Sequence, residues 1–332
     1  MKKALLIVAS PFQLINVRAA LEHFRIKEYN LYILKDNYSD RHKQIVLMAE
    51  YYQMEYDLLD YRKVVYINKW HFVKNFMSLF LPYKNAIYDI IIHGDYRNVY
   101  PLISFYPLLK KEGKICFVDD GNATINVFKR KDIAMKEQLL YYLLKVVMKL
   151  DSIKPFDYFT IYSDVDTNLF NVIPNNLLVI DVPKISDNIT YILGTNTLLH
   201  AKYNATSVSV FLSYINVALK DIINTPNVGK IMFLPHGREQ SPEIEDMCRE
   251  YNIEYKKLDE CVESFFVKQD KYPKCVYGFG SSALFNLKKM YPSCECVNLY
   301  IKGNIEEHNA IYDEINTYYE KHGILLKELT NV

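Results

Sequence analysis

Residues 1–24 read MKKALLIVASPFQLINVRAALEHF. The apolar run Ala4 to Ala9 reads as a buried strand, Ser10 and Pro11 open a polar turn, and Leu14 to His23 carries a helical pattern. Strand, turn, helix is the opening of a parallel α/β unit. Lys2 and Lys3 before an apolar run also raise the question of a secretory signal, but the run is too short for an h-region and leads straight into the turn.

The same alternation continues nearly throughout, which predicts layered α/β architecture. Strands are expected at Asn30 to Leu34, Lys63 to Ile67, Ile87 to His93, Lys114 to Val118 and Tyr158 to Tyr162, with a helix at Asp40 to Tyr52. In the second half they are expected at Thr190 to Leu193, Lys230 to Leu234, Glu254 to Leu258, Cys275 to Tyr277 and Cys296 to Tyr300. The segment 173–188, with Pro174, Asn175, Asn176 and Pro183, has the turn chemistry of a linker. The expected division is residues 1–172, a linker at 173–188, and residues 189–332, two Rossmann-like halves facing a central cleft.

A chain of 332 residues suits two such domains. Forty Lys and Arg against 39 Asp and Glu leave a net charge of +1, which lacks the basic excess of a protein that grips nucleic acid through phosphates. The 29 Tyr and 17 Phe, alongside abundant Lys, Asn and Ile, read as a codon bias rather than a sugar-stacking surface. Six scattered cysteines form no CxxC pair and no zinc spacing, which predicts reduced thiols and a cytoplasmic protein. No stretch has the ~20 mostly apolar residues of a membrane span. Ile133 to Leu150 is apolar almost all round; a buried core helix, a dimer contact and a membrane-surface patch are its three readings.

Three strand-end motifs could carry chemistry. KICFVDDGNAT places Asp119, Asp120 and Gly121 after a strand, where open α/β sheets present ligands to their carboxyl ends. Adjacent side chains there diverge, so one carboxylate can face a ligand while the other bonds backbone. A plain structural turn is the competing reading, and metal binding a third, with no supporting Asp or His at a useful spacing. KIMFLPHGRE sets His236, Gly237, Arg238 and Glu239 at a second strand end, where the histidine could donate to phosphate or be an ordinary surface loop residue. CVYGFGSSALF joins a strand to a helix through Gly278, Gly280, Ser281 and Ser282, an anion site or a plain Ser cap. Without Gly-Lys-Ser/Thr it is no triphosphate loop.

In this order, an acidic DDG, a His-Gly and a Ser-Ser helix start resemble the bacterial sialyltransferases of glycosyltransferase family 52, with the opening Ser10 to Phe24 and the run Tyr191 to Asn196 adding to the likeness. Gly237 departs from the proline of that family's HP motif. The resemblance implies a GT-B fold and metal-independent, inverting transfer of sialic acid from CMP-sialic acid to a galactose-containing glycan of lipooligosaccharide or capsule. It implies Asp120 as general base with Asp119 as fallback, and His236, Ser281 and Ser282 on the CMP phosphate. Gly194, Thr195, Gly237, Arg238 and Gly280 would complete the donor site, while Ser10, Pro11 and Gln13 would line the acceptor side. The expected partners are a nucleotide-sugar donor and a glycan acceptor at the inner membrane face, where the protein would be peripheral. A GT-B enzyme using a UDP-sugar, and a non-catalytic glycan-binding protein, are the competing classes.

Overall fold

The computed structural model describes residues 2–35, 39–60, 87–98, 101–102, 105–128, 142, 156–164, 167, 170–176, 185–203, 207–226, 228–301 and 306–329. The expected strand Lys63 to Ile67 and all but one residue of the apolar stretch Ile133 to Leu150 lie outside them. The chain divides into two compact units, Met1–Leu178 and Val179–Val332.

The first unit is built on strands β1 (Lys3–Val8), β2 (Glu28–Lys35), β3 (Asp57–Asp60), β4 (Tyr88–His93), β5 (Leu109–Val118), β6 (Phe156–Thr160) and β7 (Phe170–Pro174). Their order in the sheet is β3-β2-β1-β4-β5-β6-β7, and every pairing is parallel. Helices α1 (Pro11–His23), α2 (Ser39–Tyr51) and α3 (Ala123–Phe128) follow β1, β2 and β5. Ala4 to Val8 are all buried, as a strand inside a parallel sheet requires, which is why β1 reads as an unbroken apolar run. Ser10 caps α1 by accepting from the Gln13 N–H at 3.2 Å, and Pro11 occupies its first turn, where no amide donor is needed. Much of the aromatic excess is core: Tyr96, Phe117, Phe128, Tyr158 and Phe170 meet edge-on at centroid separations of 4.7–6.3 Å.

The second unit contains β8 (Ile189–Leu193), α4 (Thr197–Tyr203), α5 (Val208–Ile223), β9 (Lys230–Leu234), α6 (Pro242–Glu250), β10 (Glu254–Tyr255), α7 (Val262–Val267), β11 (Cys275–Gly278), α8 (Ser282–Met290), β12 (Glu295–Tyr300), α9 (Glu306–Lys321) and β13 (Leu325–Glu328). Its parallel order is β10-β9-β8-β11-β12-β13. Helix α5 turns Phe211, Ile215, Ala218, Leu219 and Ile222 onto Ile192 and Phe233 of the sheet. Each large apolar side chain buried this way stabilises the unit by about 1.5–3 kcal/mol.

Counted from their own first strands, both sheets therefore begin 3-2-1-4-5-6, the dinucleotide-fold order. Several elements differ from the sequence reading: β3 lies at Asp57–Asp60, where no strand is expected, β5 begins at Leu109 rather than Lys114, and β6 spans Phe156–Thr160 rather than Tyr158 to Tyr162. β10 stops at Tyr255 rather than Leu258. β13 is not among the expected strands and pairs with β12. β7 takes Ile173 and Pro174 from the segment read as a linker; an edge strand tolerates proline, so the turn-like composition concealed it.

Candidate functional site

In a doubly wound sheet the strand order reverses direction beside the first strand, and the loops leaving the carboxyl ends there splay apart to leave a crevice. In the first unit that point lies between β1 and β4. The polar residues of the first unit gather around it.

Asp119 and Asp120 leave β5 in opposite senses. Asp119 is fully buried and accepts from the Thr160 hydroxyl at 2.5 Å and the Ile161 N–H at 2.8 Å, tying β5 to β6. Burial pushes its carboxyl up to about 7, although Thr160, Ile161 and Thr124 pull the other way; the charge of Asp120 adds to the rise. Asp120 keeps 18% of its side chain exposed. Its Oδ1 accepts from Gln13 Nε2 at 2.8 Å and from Ser10 Oγ at 3.4 Å, and its Oδ2 is ion-paired with Arg97. The Gln13 carboxamide is itself anchored, its Oε1 accepting from the Ala9 N–H at 2.6 Å.

The loop after β4, His93-Gly94-Asp95-Tyr96-Arg97, supports the same carboxylate and was missed by the motif reading. Asp95 accepts from the Arg97 backbone N–H at 2.9 Å and Nε at 3.0 Å. Burial works against the Arg97 charge, but Asp95 and Asp120 outweigh it and hold the guanidinium protonated. His93 is buried and accepts at Nδ1 from the Asp95 N–H at 2.9 Å, while its Nε2 has no hydrogen-bond partner among the described residues. Burial lowers its pKa to about 4, partly opposed by Asp95, so the ring is neutral at ordinary pH. Gly94 has no side chain for a steric reason: a Cβ there would collide with the Gln13 carboxamide. The missed signal was a strand running into His-Gly and a charged pair, the pattern already noted at Leu234 to Arg238.

In the second unit the corresponding point lies between β8 and β11. Gly194 and Thr195 leave β8, His236, Gly237 and Arg238 leave β9, and Gly280, Ser281 and Ser282 leave β11. Glu239 binds the first two loops together. It is buried and accepts from Thr197 N–H (2.9 Å), Thr197 Oγ1 (2.8 Å), Gln240 N–H (2.9 Å) and Ser241 N–H (2.8 Å). Burial opposes its charge, yet these donors prevail and hold its carboxyl below the ordinary range. Asn196 Nδ2 adds a bond to Arg238 O at 3.0 Å.

His236 is exposed and accepts at Nδ1 from the Arg238 N–H at 3.1 Å, so its neutral ring carries the proton on Nε2. His200, which the sequence reading did not single out, links this loop to the β11 turn. Burial and the nearby charge of His236 lower its pKa to about 4, and a Cβ on Gly280 would lie 3.9 Å from its Cε1. A small cavity of about 20 Å³ is lined here by His200, Phe279, Gly280, Asn298, Tyr312 and Asn316. Gly280 has φ +63°, a conformation that favours glycine, and its N–H is held by Asn298 Oδ1 at 2.8 Å. Ser281 Oγ caps α8 by accepting from the Ala283 N–H at 3.3 Å. Among the described residues, no group of three or more His, Cys, Asp or Glu side chains is arranged to hold a metal ion, and no helix is long and apolar enough to cross a membrane.

No protein-family model and no curated protein matches this sequence. Among solved structures, the chain is similar to a protein from Listeria monocytogenes assigned as a UDP-N-acetylglucosamine 2-epimerase, with a TM-score of 0.53 and 12% identity over 94% of this chain and 82% of that one. The fold is thus GT-B-like, built from two Rossmann-type domains. The resemblance to glycosyltransferase family 52 is overturned: no family model supports it, and the structural neighbour is an epimerase rather than a sialyltransferase. The physical reason lies in what carried it. Ser10-Pro11 is a helix cap followed by an N1 proline, and Ser281 is a helix cap, features that any doubly wound sheet reuses.

Proposed function

We propose that this protein is an enzyme acting on a nucleotide-activated sugar, and that its reaction is glycosyl transfer from a UDP-sugar to a hydroxyl acceptor. One observation carries the proposal: both sheets place a polar cluster at their own topological switch point, and the two clusters have opposite chemistry. The second unit offers donors suited to phosphate, namely His236 Nε2, Arg238 and the amide groups at the start of α8. The first offers a carboxylate, Asp120, held in place from two sides.

In this reading Asp120 of the first unit serves as the base for the proton of the acceptor hydroxyl, and His236 and the α8 amides of the second unit serve the diphosphate of the donor. Gln13 and Arg97 fix the carboxylate before substrate arrives, so less ordering remains for the transition state. No metal is needed at the DDG segment, because Asp119 is committed to Thr160 and Ile161 and Asp120 to Arg97 and Gln13.

The test is mass spectrometry of the purified protein with a panel of UDP-sugars and simple glycoside acceptors, with EDTA present. UDP release coupled to a glycosylated product supports the proposal. Conversion of a UDP-sugar to its epimer without UDP release would replace transfer with epimerisation, and turnover that requires added manganese or magnesium would refute the metal-independent mechanism.

A further inference from the structure

The amino-terminal edge of the first sheet carries a groove that the strand-end chemistry does not use. It lies where α1 ends, β2 begins and α2 ends, has a volume of about 480 Å³, and is walled by Arg18, Glu22, Arg25, Lys27, Tyr29 and Tyr52. Its floor is apolar and buried, formed by Leu21, Ile26 and Met54. The volume falls within the range of small-molecule sites, roughly 300–1,000 Å³.

Among the described residues, none of Arg18, Arg25 and Lys27 is ion-paired, even though Glu22 shares the groove. Nor do they cap the two helices that end here. The Ala20, Leu21 and Glu22 carbonyls accept from the Phe24, Ile26 and Arg25 N–H groups, and those of Met48, Ala49 and Glu50 from the Tyr52, Met54 and Gln53 N–H groups. The Arg18 guanidinium lies 4.2 Å from the centre of the Tyr52 ring, which orients its planar donor fork in advance. Arg25 sits at φ +54°, a left-handed conformation in which glycine is less strained, and yet the position carries a long cation.

We propose that this groove binds a phosphate monoester carried on a hydroxylated ring, independently of the strand-end clusters. Arg18 and Arg25 supply paired N–H donors for the phosphate oxygens, and Lys27 adds a point charge. Glu22 in the wall and Glu55, whose charge reaches Tyr29, leave an excess of one positive charge, which matches a single phosphate better than a polyanion. Glu22 and Tyr29 provide polar partners for ring hydroxyls, and the apolar floor accepts the ring face. The same chemistry occurs in a soluble sugar phosphate and in a ring-phosphorylated inositol lipid headgroup.

The experiment uses the full chain with labelled tyrosines, glucose 1-phosphate as the soluble probe, and phosphatidylcholine vesicles with or without phosphatidylinositol 4-phosphate. Glucose 1-phosphate is expected to shift the Tyr29 and Tyr52 resonances. Arg25→Gly should weaken that binding about tenfold or more, while Tm stays level or rises because glycine relieves the left-handed backbone. Lys27→Gln, at an exposed position, is the second variant and should also weaken binding. Vesicle binding that needs phosphatidylinositol 4-phosphate and Arg25 would support the site and make the lipid its source. If neither probe moves Tyr29 or Tyr52, or if binding is unchanged in Arg25→Gly and Lys27→Gln, the proposal is wrong. Neither result depends on whether the chain transfers sugars.

Discussion

Gln13 Nε2 donates to Asp120 Oδ1 across 2.8 Å, although the two residues are 107 positions apart in the chain. The bond joins the first turn of α1 to the end of β5 over the carboxyl end of β4. It is made feasible by a missing side chain, at Gly94. Arg97 holds the other oxygen of the same carboxylate. The orientation of Asp120 thus depends on three segments that are neighbours only in the folded sheet.

Asp120→Asn is expected to reduce turnover by about 10²–10⁴-fold, the usual loss when a general base is removed. Binding of UDP should be nearly unaffected, because the carboxylate belongs to the first unit and the phosphate donors to the second. Paired kinetics and calorimetry check this. Equal losses in both would assign Asp120 to nucleotide binding instead.

Gly94→Ala should displace the Gln13 carboxamide, with which the new Cβ would collide. An overpacked site of this kind costs about 1–3 kcal/mol, visible as a lower Tm, and turnover should fall with it. In the double variant Gly94→Ala with Gln13→Ala, the collision is gone and the stability losses should fall well short of additive. Additive losses would mean that Gly94 acts through something other than Gln13.

Glu239→Gln replaces an acceptor of four hydrogen bonds with a group that also presents an NH₂ to those donors. A buried donor left without a partner costs about 1–3 kcal/mol. Since Glu239 ties the α4 start to the His236 loop, nucleotide affinity should weaken along with thermal stability. A stable variant with normal affinity would show that the loop is held by other contacts.

Three buried groups give a pH dependence of defined sign. His93 and His200 titrate near 4 in the folded protein against an ordinary 6.5, so each is a stabilising neutral ring above 6.5 whose contribution is lost as pH falls toward 4. Asp119 is raised from 3.8 to about 7, so its contribution is full below 3.8 and is lost as pH rises toward 7. Each group changes stability by about 1.4 kcal/mol per pH unit within its window. Between pH 6.5 and 4 His93 and Asp119 offset one another in the first unit, whereas His200 is not offset by either of them. His200→Gln should therefore flatten the acid loss of Tm, and Asp119→Asn should steepen it. Melting curves at roughly pH 4.5, 5.5 and 6.5 would expose the opposite result.

Sequence alone determined the layered α/β class, most strand positions, and the residues that stand at strand ends. These are local matters. A buried parallel strand must be continuously apolar, so Ala4 to Val8 announces itself, and a helix start must satisfy its free amides, so Ser10-Pro11 and Ser281 are legible. The same locality misled, because those caps recur in unrelated doubly wound folds and supplied a resemblance that the comparisons overturn. Tertiary structure alone decided which strand ends are neighbours. It set β4 beside β1, which brought His93 to Arg97 against Asp120, and it set α4 beside the β9 and β11 loops, which made His200 a companion of His236. It also chose between Asp119 and Asp120 as the exposed carboxylate, through Thr160 and Ile161 of another strand end. Hydrogen bonds and desolvation act over a few ångströms of space, and separations of 23 to 107 residues leave no periodicity in the chain by which such a pairing could be read.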